Sequence, residues 1–206
     1  MRHNDQMRHE TAVRRLRTVA ARCQRASGLW DEEPFLVAAY AFGSVLESRA
    51  DVPVVQMAFV LNLPPEELTW GAQPQSCVGL PHLLEIDKAP VEWHWRPSVW
   101  PISNHLIQRP LRVWSLDRPD TAALDALGRG QAEHLRLPAP ATEQQHEQTR
   151  LELAASLAHP RQTEAGFWEH DWRSAHPGQE VYPENHLWDA VHGYLDLLDA
   201  SSGEPS

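Results

Sequence analysis

The sequence predicts an α+β fold: a small mixed β-sheet flanked by helices and followed by a C-terminal helical region. Three observations carry that expectation. FLVAAYAFG (35–43) and VVQMAFVLNL (54–63) are apolar runs of strand length, bounded by Pro and Gly. VEWHW (91–95) and LRVWSL (111–116) alternate in the manner of half-buried strands. Both ends of the chain, by contrast, carry apolar residues at steps of three and four.

In chain order, residues 8–26 place Val13, Leu16, Ala20 and Cys23 on one helical face, and Ser27-Gly28 closes the helix. Pro34 precedes the first strand, Gly43-Ser44 breaks it, and VLESRA forms a turn or a short helix. The run 54–62 is β-branched and nearly all apolar, as a strand covered on both faces should be, until Pro64-Pro65 stops it. Single helical turns are expected at PPEELTW and at LPHLLEI (80–86). The strands 91–95 and 111–116 read as a hairpin with a long loop. Residues 119–128 form a helix capped by Asp117 or Asp120 and ended by Gly128 or Gly130.

The Pro/Ala stretch LPAPATE (137–143) divides a body, 1–136, from a C-terminal region, 137–206, expected to pack on it. That region holds one helix to about His159, with Leu151, Leu153, Ala154 and Leu157 as its apolar set, and Pro160 kinks or restarts it. Phe167, Trp168 and Trp172 follow at helical spacing, 176–184 is a loop, and 185–200 is a last helix. On that helix Trp188, Val191, Leu195 and Leu198 share a stripe, which the usual pattern of amphipathic helices turns to the core.

Composition narrows the function classes. The 206 residues are 42% hydrophobic and 22% charged, ordinary for a globular chain with a real core. The net charge of −10 is uneven: residues 1–30 carry seven Arg against Asp5 and Glu10. That basic segment is expected to dock on the acidic remainder, so nucleic acid is not an expected partner. Only Cys23 and Cys77 are present, in no metal-binding spacing, and no window is long and apolar enough to span a membrane. A cytoplasmic protein without a membrane contact is expected.

Three constellations bear on chemistry. AFGSVLESRADVPVVQMAFVL (41–61) has the order strand, Gly-Ser, short helix, strand, which resembles the opening of nucleotidyltransferase-like domains. The resemblance implies that Gly43 and Ser44 could meet a phosphate and makes Asp51 the nearest acid. The paired carboxylates that such domains carry on the second strand for metal ions are absent, because the strand reads Val-Val-Gln-Met-Ala-Phe-Val. An ordinary strand-to-helix turn remains the simpler account of Gly-Ser.

The C-terminal set His159, Glu164, His170, Asp171, His176, Glu184, His186, Asp189 and His192 invites a metal reading. His186 and His192 are six apart and diverge on a helix, so solvated side chains are expected instead, with no metal and no cofactor. The third group is aromatic: nine Trp, with Trp93 and Trp95 on one face of a strand and His94 on the other.

FLVAAYAFGSVL, VVQMAFVLNLPPEELTWG, RPLRVWSLDRPD, LRLPAP and YPENHLWDAVHGYLDLLDA together resemble an uncharacterised actinobacterial family, a domain of unknown function. The resemblance spans about residues 10–200, implies one folded unit, and transfers no catalytic residue. The expected role is therefore a non-catalytic interaction or regulatory protein with an unknown protein partner, on a degenerate nucleotidyltransferase-like scaffold. The alternative is an enzyme for a nucleotide or small polar substrate, working through loop carboxylates such as Asp51 and Asp87.

Overall fold

The computed structural model describes residues 6–29, 34–116, 118–167 and 183–202. The α+β expectation holds. Five strands, β1 (Leu36–Phe42), β2 (Val55–Leu61), β3 (Val91–Pro97), β4 (Leu111–Ser115) and β5 (Arg118–Pro119), form one sheet in the order β3-β2-β1-β4-β5. The helices are α1 (His9–Ser27), α2 (Ser44–Glu47), α3 (Leu80–Leu83), α4 (Thr121–Arg129), α5 (Thr142–Phe167) and α6 (Pro183–Ser202).

The sheet is mixed because β1 runs antiparallel to both β2 and β4, whereas β3 runs parallel to β2. The segments 91–95 and 111–116 are thus strands but not a hairpin. They lie on opposite sides of the β1–β2 pair. Alternation shows that a segment is a strand; it carries nothing about which neighbour the strand takes.

Alternation along β2 and β3 divides the sheet into two unlike faces. Val55, Met57, Phe59 and Leu61, with Val91 and Trp95, join the large apolar cluster under α1 and α4. The opposite face carries Gln56, Glu92, His94 and Arg96, with only Ala58 and Phe42 joining a small cluster of Trp70, Ile107 and Leu197.

The basic helix α1 packs on its own chain, burying Ala12, Val13, Leu16, Val19, Ala20, Cys23 and Ala26. Two of its Arg pair across to the body, Arg17 with Asp125 at 2.6 Å and Arg22 with Glu85. Such partly exposed pairs contribute about 0–1 kcal/mol each, so the apolar stripe holds the helix. Asp120 caps α4 by accepting from the Ala123 N–H at 3.0 Å, and Gly130 closes it in the left-handed conformation at φ 72°.

The C-terminal region departs from expectation in two ways. First, α5 continues through Pro160 to Phe167 as one helix and does not restart there. Second, the apolar residues expected at the core on α5 and α6 are exposed or only partly buried. Among the described side chains of α5, the buried ones are Gln148, Thr149, Glu152 and Ser156, while Leu151 is exposed. On α6, Leu197 is buried, while Val191, Leu195 and Leu198 are exposed and Trp188 is 69% exposed. The cause on α5 lies in what it covers: the face of the sheet beneath it is polar, and Glu152 turns inward to meet Arg96.

Candidate functional site

The Gly43-Ser44 turn sits where β1 ends and α2 begins. Gly43 has φ 70°, a conformation that favours glycine, and the side chain of Gln56 packs directly over it. A Cβ at position 43 would stand 1.8 Å from the Gln56 Oε1, so the space above the turn is filled by an amide. From the same residue, Nε2 donates to Glu92 Oε2 at 3.2 Å, because the parallel register sets Gln56 beside Glu92. Glu92 Oε1 lies 3.5 Å from His94 Nε2. These partners, His94 first and Gln56 after it, hold the Glu92 carboxyl below the usual range.

An aromatic stack continues the site. Trp70 lies parallel on His94, with centroids 4.5 Å apart, and meets His105 edge-on at 4.8 Å. The backbone of Trp70 is itself the floor for α6: a Cβ on Gly193 would stand 1.7 Å from the Trp70 carbonyl oxygen. Only glycine permits this approach. Deeper in, Arg96 Nη2 pairs with Glu152 Oε1 at 2.7 Å, and both side chains are almost fully buried. Glu152 also accepts from Gln148 at 2.8 Å and Asn104 at 3.1 Å, while Arg96 donates to the Pro101 carbonyl at 2.8 Å.

The site therefore gathers Gly43, Ser44, Gln56, Trp70, Glu92, His94 and His105. Of the sequence candidates, Gly43 and Ser44 lie in it. Asp51 lies beside the Met7–Val52 bridge at the start of α1, and Asp87 pairs with His82 at 3.2 Å. Gln56 and Glu92 escaped the sequence reading because nothing local relates residues 36 apart; the available signal was that Glu92 and His94 alternate with Trp93 and Trp95.

Of the C-terminal His/acid set, His170, Asp171 and His176 lie outside the described residues, as do Trp168 and Trp172. His159, Glu164, Glu184, His186 and Asp189 fall on α5 and α6, but their side chains are likewise outside the description. His192 is exposed and stacks on Trp188 at 6.2 Å. Among the described residues, no group of three or more His, Cys, Asp or Glu is arranged to hold a metal ion. Burial pushes the Cys77 thiol up to about 11 and the Cys23 thiol up as well, so neither is an activated nucleophile.

His105 gives this region a pH dependence. Burial lowers its pKa from 6.5, with Arg96 and His94 acting the same way and Glu152 and Asp196 opposing. The unfolded chain then binds the proton more readily than the folded one. Stability that is complete above about pH 6.5 should fall as the solution is acidified below that value. Urea denaturation across this range should show a shallower loss for His105→Gln than for the parent. Identical profiles would assign the titration to another group.

A model of the family described as a domain of unknown function, DUF7711, matches residues 7–203, nearly the whole chain. No curated protein and no solved structure matches.

Proposed function

The chain belongs to the DUF7711 family, and we propose that it is a non-catalytic interaction protein of the cytoplasm that docks a partner on the outer face of α6. The observation that carries this reading is the outward stripe of Trp188, Val191, Leu195 and Leu198, at 69%, 39%, 47% and 39% exposure. An apolar stripe of this kind turned to solvent is a recurrent mark of a recognition surface. Asp196 and Asp199 are exposed beside it, and residues 139–206 carry twelve acids against three Arg. Two copies meeting face to face would oppose like charges. A partner helix with an apolar face flanked by Lys or Arg suits the surface better.

The Gly43-Ser44 region supports the non-catalytic half of the proposal. We read the sheet as a degenerate nucleotidyltransferase-like scaffold, in which Gln56 and Ala58 occupy the inward positions of β2 and Gln56 packs over the turn. The lone carboxylate of that row, Glu92, is engaged by Gln56 and His94. Two free, buried cysteines suit a reducing compartment, and among the described residues no helix is long and apolar enough to cross a membrane.

The test uses a fluorescent amphipathic helix of Leu and Lys as probe. The parent protein should bind it in a salt-dependent manner. Replacing Trp188 and Leu195 together by Ser should weaken binding about thirtyfold, the size of a hot-spot loss of about 2 kcal/mol. The melting curve should stay within the small range typical of exposed sites. Equal binding by the variant would overturn the proposal. So would a parent dimer that the same variant dissociates, because the stripe would then serve self-association.

A further inference from the structure

The open edge of the sheet carries a second recognition element, separate from the α6 stripe. β3 is the edge strand beyond β2. The Val55 N–H donates to Pro90 O at 3.0 Å, and the Ser98 N–H donates to Leu61 O at 2.9 Å. Even-numbered positions from 90 to 98 therefore turn their main-chain groups toward β2, and alternation turns those of Trp93 and Trp95 to the open edge. Among the described residues no partner pairs with these four groups.

Along this edge runs a slit of ≈ 240 Å³, walled by Thr69–Gln73 on one side and Trp93–Trp95 on the other. Its walls are fixed. The Trp95 indole donates to Gln73 Oε1 at 3.0 Å, and Gly193 of α6 packs against the Trp70 carbonyl from behind. Thr69, 4% exposed, also lines the slit, and its hydroxyl oxygen is buried with no partner among the described residues. Drug-sized ligands occupy pockets of about 300 Å³ and more, so the space suits a narrow, short molecule that satisfies main-chain donors and acceptors. A peptide strand does this.

We propose that the slit takes a short extended peptide segment as an added strand on β3, with a basic side chain over Glu92. Three features specify this ligand: the outward N–H and C=O groups of Trp93 and Trp95, the unpartnered Thr69 hydroxyl, and the anionic Glu92, which lies on the edge strand with a 45% exposed side chain. A Lys or Arg on the same face of an added strand reaches Glu92 as a cross-strand pair. None of the residues of the α6 stripe lines the slit, so this inference stands or falls apart from the function proposed above.

The experiment titrates isotope-labelled protein with a capped Val-Lys-Val-Lys-Val peptide, a strand former that does not favour a helix. The main-chain amide resonances of Trp93 and Trp95 should shift, and their hydrogen exchange should slow. A peptide N-methylated at the amides that face β3 should lose binding. Glu92→Gln should weaken the Lys-containing peptide about two- to fivefold, as loss of an exposed pair does, and leave a Leu-substituted peptide unaffected. Resonance shifts confined to α6, or undiminished binding of the N-methylated peptide, would overturn the proposal.

Discussion

Replacing Glu152 by Ala should destabilise the fold by about 3–5 kcal/mol, because it strands a buried guanidinium. Arg96 and Glu152 are 2% and 1% exposed and their charged atoms are 2.7 Å apart. The carboxylate also receives the amides of Asn104 and Gln148, so its loss leaves three donors without their acceptor. Water does not reach them, and each buried unsatisfied group costs about 1–3 kcal/mol. The Trp100 ring, 5.8 Å from the guanidinium carbon, and the Pro101 carbonyl do not neutralise the charge.

Three further variants test the cause. Glu152→Gln keeps an acceptor and should fall between the parent and the Ala variant. In the double variant Arg96→Met, Glu152→Leu, no charge is left behind, so much of the loss should return. Urea denaturation measures all three. If the double variant is as unstable as Glu152→Ala, the penalty comes from packing and not from the unpaired charge. Since Glu152 lies on α5 and Arg96 on β3, the same series measures how strongly the C-terminal helices are tied to the sheet.

This pair also explains where sequence reasoning stops. The strands β1 and β2 were legible because a run such as VVQMAFVL must hide both faces. The inward face of α1 was legible for the same reason: Val13, Leu16 and Cys23 lie over an apolar face. Helical periodicity assigns the apolar stripe to the core, and that rule fails for α5, whose buried described positions are polar, and for the Trp188 stripe of α6. There the underlying face of the sheet is set by Glu92, His94 and Arg96, and Arg96 pairs with Glu152 on a helix about sixty residues further along the chain. No local pattern carries such a pairing.

Gly193 is a similar case. Within a helical pattern it looks like a mild defect, yet it allows α6 to touch the Trp70 carbonyl. At the candidate site the turn Gly43-Ser44 was visible as a motif, whereas its occupant, Gln56, is an unremarkable polar residue in an apolar strand. Only the register of β2 against β3 gives Gln56 its place next to Glu92.

Replacing Trp114 by Ala should cost about 3–5 kcal/mol, the range for removing a fully buried large aromatic side chain. Trp114 is 0% exposed. It stands on β4 opposite Ala39 of β1, where only a small side chain leaves room for the indole. Its Nε1 donates to Gln24 Oε1 at 3.0 Å, which ties the sheet to the last turns of α1. Trp114→Phe retains most of the ring and leaves the half-buried Gln24 oxygen without its donor, so it should cost about 1–2 kcal/mol. A Gln24→Leu change in that background should cost little more, because the bond is already gone; in the parent it should cost nearly as much as Trp114→Phe. Denaturation of the four proteins of this cycle gives the coupling directly. A coupling near zero would mean that α1 is held by its apolar stripe alone. A coupling of about 1 kcal/mol, the net worth of one buried bond, makes the Arg-rich helix an integral layer of the fold. Its basic residues then lie on the outer side of a structural element and not on an arm free to reach nucleic acid.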